Sequence, residues 1–160
     1  MTHAQNAITL SVKRIKEFGF YLNETLYAEK VAQNADKPLQ VGTSLQLSFT
    51  LDTNMVFLLI RVYYHFPNAE PTEILTDIHV QNVFEIEDLK RFQVAPSEII
   101  LPSDTITAIV GLSLSHTRAL LAKNLSGTLL QENLMAVYDP SRLAKHFFPR
   151  MFEENSVIHK

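Results

Sequence analysis

Cysteine is absent from this 160-residue chain. A disulfide scaffold, a thiolate nucleophile and a thiolate metal site are all excluded, and the absence fits a reducing compartment. Only four glycines occur. None falls in a GxGxxG or P-loop pattern, so no loop of backbone N–H groups can be assembled to cradle a phosphate. No Lys/Arg cluster interrupts a net charge of −3. A general nucleic-acid-binding role, which needs a basic surface, therefore has little electrostatic support. The longest uncharged apolar run, Met55 to Ile60, is far below the roughly 20 residues of a membrane span. The opening MTHAQNAITLSVKR lacks a basic start followed by an apolar stretch, which predicts a cytoplasmic chain with no membrane insertion.

What is present is an ordered succession of apolar periodicities. The length suits one domain, set here at residues 1–150, with a disordered tail over 151–160. A first strand-like run spans Ile8 to about Tyr21, with Arg14 and Lys16 interrupting its apolar face. A charge-studded connection, Asn23 to Lys37, follows. Val41, Leu45, Leu47, Phe49 and Leu51 then alternate with polar residues, the signature of a half-buried antiparallel strand. Asp52-Thr53-Asn54 makes a turn into a third run, Met55 to Phe66. One face of that run is Val56, Leu58, Ile60, Val62, Tyr64 and Phe66. The other mixes Phe57, Leu59 and Tyr63 with Arg61 and His65. The fourth run points Ile74, Ile78, Val80, Phe84 and Ile86 inward, and Glu73, Asp77, His79, Gln81 and Glu85 outward.

At Pro102–Ser103 the period changes from two to about 3.6, marking a switch from sheet to helix. Ser103 is placed at the N-cap, with Asp104 in the first turn against the helix dipole. Ile106, Ile109, Val110, Leu114, Thr117, Leu120 and Leu121 form the helical stripe, and Gly127 stops it. Gly111, Ser113 and Ser115 are small enough for another backbone to approach closely. Asp139-Pro140 opens a last short helix carrying Leu143 and Phe147, and Pro149 ends it. All seven prolines fall between elements or at helix ends. The fold class is therefore α+β: a four-stranded antiparallel sheet followed by a long helix and a short C-terminal helix.

Catalytic and metal constellations are not found. The six histidines include no pair at i, i+4 and no HExxH or HxH. His65 and His79 sit on outward faces of adjacent strands and read as surface residues. His116 near Ser113 and Ser115 lacks the GxSxG elbow of a nucleophile. No cofactor and no metal is implied. The apolar excess is more informative: Phe57, Leu59, Tyr63 and Leu112 exceed what one sheet and one helix can hide, which points to oligomerisation.

Several strings, taken together over Leu10 to Phe148, resemble the SecB family of export chaperones. They are LSVKRIKEFGF with its Arg14-Ile15 pair, FLLIRVYYHF, TEILTDIHVQNVFEI, EIILPSDTITAIVGLSLS with the later Gly127-Thr128, and NLMAVYDPSRL. The resemblance implies an ATP-independent holdase for unfolded polypeptides in protein export, and a homotetramer built as a dimer of dimers. Protomers would pair through their sheets, and the pairs through the long helices at Gly111, Ser113 and Ser115. Clients would lie in apolar grooves, with Val41, Phe84, Leu134, Val137, Tyr138, Leu143 and Phe147 as the matching positions. A SecA-like motor would dock at Glu17, Leu75 and Asp77 on the outer sheet face.

The sequence departs from the family pattern at three places. Asp36-Lys37 precedes Pro38 where an aromatic is expected, LLQENLMAV replaces a proline-rich approach to the last helix, and RMFEENSVIHK is not an acidic tail. Kept fold with lost motor docking fits a SecB-like chaperone serving an antitoxin. The rival class is a small-molecule-binding α+β protein of hot-dog type. Its helix precedes most of its strands, whereas here the helix follows all four.

Overall fold

Residues 8–153 are described by a computed structural model of the protein. Strands β1 (Leu10–Leu22), β2 (Gln40–Thr50), β3 (Met55–His65) and β4 (Thr76–Ile86) form one antiparallel sheet in the order β1-β4-β3-β2. Helix α2 (Ser103–Leu125) lies across it, and α3 (Pro140–Phe147) packs against α2. This is the expected α+β architecture, with α2 and α3 following all four strands. A 3-10 turn over Pro149–Phe152 follows α3. Residues 151 and 152, expected in a disordered tail, belong to that turn. The remainder of that tail, 154–160, lies outside the described residues.

The sheet follows its side-chain pattern closely. In β3 every second residue is buried, with Val56, Leu58, Ile60 and Val62 wholly inaccessible. The β2–β3 register runs unbroken from Gln40 opposite His65 to Thr50 opposite Met55. Asn54 closes the intervening turn with φ +56°, a left-handed conformation that asparagine tolerates. Its carbonyl accepts from the Ile86 N–H at 2.9 Å and its Oδ1 from the Leu89 N–H at 3.1 Å, tying the hairpin to the end of β4. In β1 the charged interruption is absorbed without ending the strand. Register shifts between Val12 and Arg14, and between Glu17 and Gly19, insert Lys13 and Phe18 as extra residues.

Of the expected stripe, helix α2 buries Ile106, Ile109, Val110, Leu114, Thr117 and Leu121, while Leu120 is only half-buried. By length and composition it could cross a membrane, but its apolar stripe is packed on the sheet. Asp139 caps α3 as expected, its Oδ1 accepting from the Ser141 and Arg142 N–H groups at 3.0 and 3.4 Å.

Local expectations fail where the pattern was short. Asn23–Lys37 is not merely a connection: it holds helix α1 (Glu24–Lys30), capped by Asn23, whose Oδ1 accepts from the Leu26 N–H at 3.0 Å. The segment QVAPSEIILP, for which no strand is expected, forms a two-stranded ribbon of β5 (Gln93–Ala95) and β6 (Glu98–Ile99). Ser103 is the first helical residue rather than the cap. Pro102 holds the cap position, and its carbonyl accepts from the Thr105 and Ile106 N–H groups. Ile74 and Leu75 exchange places: Ile74 is half-buried and Leu75 fully buried. Strand alternation begins only at Thr76. Leu75 lies in an irregular link whose N–H donates to the Tyr64 carbonyl while its own carbonyl accepts from Asn23, and its side chain enters the core.

Phe84 is likewise fully buried in the core, opposite Val56. Phe84→Ala is expected to lower the unfolding free energy by about 3–5 kcal/mol, measured by urea denaturation, as befits a core aromatic. A loss below about 1 kcal/mol would contradict its placement.

Candidate functional site

An open apolar cleft of about 380 Å3 lies beside β2, whose outer edge no other strand among the described residues pairs. Its floor is Leu47 and Phe49, on the helix side of the strand. One wall is Ile99 and Ile100 from the ribbon, and the other is Phe147, Phe148 and Met151 from the end of α3 and the turn beyond. Local chemistry sets this geometry. Asp139-Pro140 fixes where α3 starts, Ala144 buries the helix, and Phe147 is left half-covered over the cleft. Arg150 and Glu98 form an ion pair between the two walls. An edge strand presents unpaired N–H and C=O groups, so β2 can hydrogen-bond an extended chain laid alongside it, while the adjoining cleft takes apolar side chains.

A smaller hollow of about 190 Å3 lies over α2, lined by Gly111, Leu114, Ser115 and Arg118 and roofed by Met135–Tyr138 and Pro140. The seven groove positions therefore divide. Phe147 lines the cleft, and Val137 and Tyr138 line the hollow, Val137 being 82% exposed. Leu134 is exposed on the same segment. Leu143 is half-buried against the core, and Val41 sits opposite Tyr64 near the other end of β2. Phe84 is in the core and lines no groove. The cleft residues missed from sequence are Leu47, Phe49, Ile99, Ile100, Phe148 and Met151. Only the alternation of Leu47 and Phe49 signalled any of them, because the ribbon that forms the opposite wall was not foreseen.

The three motor-docking positions do not form one patch. Register places Glu17 opposite Val80, on the helix side, where its carboxylate accepts from Asn124 Nδ2. Asp77 is on the outer face and is neutralised by Arg61, whose Nε and Nη2 donate to it at 3.1 and 2.7 Å. Leu75 is interior.

The small residues of α2 also differ from expectation. A Cβ at Gly111 would meet Pro140 at 3.4 Å, so this glycine admits α3 rather than a second protomer. Ser113 is fully buried within the protomer. Ser115 alone is exposed, its Oγ donating to the Gly111 carbonyl at 3.1 Å.

The exposed side of α2 is instead Ala108, Leu112, Ser115 and Ala119, spaced four, three and four residues apart like a helix–helix seam. Beside it the helix side of β1 is left uncovered. Val12, Ile15 and Phe20 are 44, 42 and 37% exposed although they face the same way as the core, and Leu112 is 40% exposed. At the border of this strip His116 Nδ1 lies 2.7 Å from Oδ1 of Asn82, which is fully buried. Burial lowers the His116 pKa, favouring the neutral ring. Among the described residues no cluster of three metal-ligating side chains occurs. Across the hairpin His79 faces Arg61, and His65 faces Gln40 instead.

No protein-family model matches the sequence, and no curated protein is significantly similar to it. Solved structures do match. The SecB-like chaperone Rv1957 of Mycobacterium tuberculosis, in complex with a ChAD peptide from the Rv1956 HigA1 antitoxin, superposes with a TM-score of 0.52 at 10% identity, over 81% of this chain and 89% of that one. A Streptococcus agalactiae protein of unknown function superposes with a TM-score of 0.41 at 12% identity, over 74% of this chain and 89% of that one. The chain thus has a SecB-like fold.

His116 gives a pH prediction. Its folded pKa lies below its ordinary 6.5. The unfolded chain therefore binds the proton first, and stability is lost as pH falls from about 6.5 through the depressed folded value. Chemical denaturation at a series of pH values is expected to show this loss, and His116→Gln to remove that component of it.

Proposed function

We propose that this protein is an ATP-independent chaperone that holds unfolded polypeptide segments in extended form, acting by binding rather than turnover. The observation that carries the reading is the apolar cleft along the unpaired edge of β2. Apolar burial supplies affinity with little sequence preference, and backbone hydrogen bonds at the strand edge are indifferent to sequence altogether. The SecB-like fold supports the reading. So does the mycobacterial neighbour, a chaperone whose structure contains a bound peptide segment.

Between export and antitoxin clients, the structure favours the second. Glu17, Leu75 and Asp77 do not share a surface, so an acidic docking patch for a SecA-like motor is not assembled. The neighbour's bound segment comes from an antitoxin. The functional particle is a homotetramer in the cytoplasm. Protomers pair along β1, whose helix-side apolar residues are uncovered, and the pairs meet through the Ala108–Leu112–Ser115–Ala119 seam of α2.

Capture of a reduced, denatured polypeptide, followed by suppression of light scattering without nucleotide, tests the binding role. Wild type is expected to suppress aggregation. Phe147→Ser is expected to weaken capture about tenfold or more, since it removes most of an aromatic's apolar contact. Aggregation unaffected by the protein, or capture by Phe147→Ser equal to wild type, would contradict the proposal.

A further inference from the structure

The outer face of the sheet, remote from the β2 cleft, is built for a different contact. Strand register places Arg14 beside Val83 and Phe57 in one row, and Lys16 beside Gln81 and Leu59 in the next. Lys13, extruded by the first bulge, reaches Glu85 at 2.7 Å, and Arg61 holds Asp77. Four cations thus stand against two carboxylates on this face, and both carboxylates are occupied. Arg14 and Lys16 have no carboxylate partner among the described residues. Contrary to the expectation of no Lys/Arg cluster, Lys13, Arg14 and Lys16 stand within four residues of sequence, and the sheet brings Arg61 onto the same face, in a chain whose net charge is −3. Between the cations the surface is apolar: Phe57 and Leu59 are half-buried, and the Lys16 ammonium lies 4.8 Å from the Phe18 ring.

We propose that this face docks an acidic polypeptide segment carrying interspersed aliphatic residues. Glutamates would pair with Arg14 and Lys16 while aliphatic side chains settle on Phe57 and Leu59, a charge match that suppresses wrong partners and speeds encounter. A second copy is disfavoured on this face, because like charges would be opposed. Nucleic acid is disfavoured too, because two cations without a carboxylate partner, in a chain of net charge −3, offer too few phosphate contacts. The inference concerns a surface separate from the cleft and stands without the chaperone reading.

The test is fluorescence anisotropy of the full chain with a labelled peptide of glutamates and interspersed leucines. The same peptide with glutamine for glutamate and a thymidine oligonucleotide serve as comparators. The acidic peptide is expected to bind, to weaken with added salt, and to bind about two- to thirtyfold less well to the R14E/K16E double variant, the range for two exposed ion pairs. Both positions are exposed on an edge strand, and circular dichroism confirms that the variant is folded. Phe147→Ser, in the cleft, is expected to leave this binding unchanged. The proposal is overturned by no binding, by equal binding of the glutamine peptide, by preference for the oligonucleotide, by an unaffected R14E/K16E variant, or by loss with Phe147→Ser.

Discussion

One long helix is too narrow to cover four strands. With strands spaced about 4.8 Å apart, the outer two of a four-stranded sheet lie about 14 Å from each other, whereas a helix with its side chains is about 10 Å across. Helix α2 settles over β3 and β4, where alternate residues are wholly buried. The two flanks must be covered otherwise. On the β2 side, α3, the closing turn and the β5–β6 ribbon do so incompletely, leaving the cleft. On the β1 side nothing among the described residues does, and Val12, Ile15 and Phe20 remain open beside Leu112. The cleft and the assembly surface are two consequences of the same shortfall.

The polar groups near α2 follow the same boundary. His116 and Asn82 are paired where the covered core gives way to the uncovered strip, and burial favours the neutral imidazole there. On the opposite side of α2, Gly111 lets Pro140 approach, which seats α3 and thereby aims Phe147 at the cleft. The absence of side-chain bulk at one helical position thus acts on the binding surface through a neighbouring helix.

Much of the fold was legible because its signals are long or chemically specific. Eleven-residue alternation in β3 leaves one register that buries Val56 through Tyr64. Asp139-Pro140 names a helix start by hydrogen bonding and by fixed φ together. What was misread depended on short segments or on tertiary context. Helix α1 has seven residues, too few for a clear period, and the ribbon strands have three and two. Leu75 was counted outward by extending alternation one residue beyond the strand. Of the small residues of α2 read as sites of close approach, Gly111 does admit a neighbour, but composition cannot say whether that neighbour is a partner's or the chain's own. The candidate site was legible only at Phe147, Val137 and Tyr138, because the cleft's far wall comes from the unforeseen ribbon.

The uncovered flank of β1 is the point on which this account turns, and its occupant sets the mass of the particle. Sedimentation equilibrium at micromolar concentration measures that mass directly. A species of four 18.2 kDa chains, reduced to smaller species when Leu112 is changed to Lys, is the predicted result. A stable particle of a single 18.2 kDa chain, with Val12, Ile15 and Phe20 left in water, would contradict it.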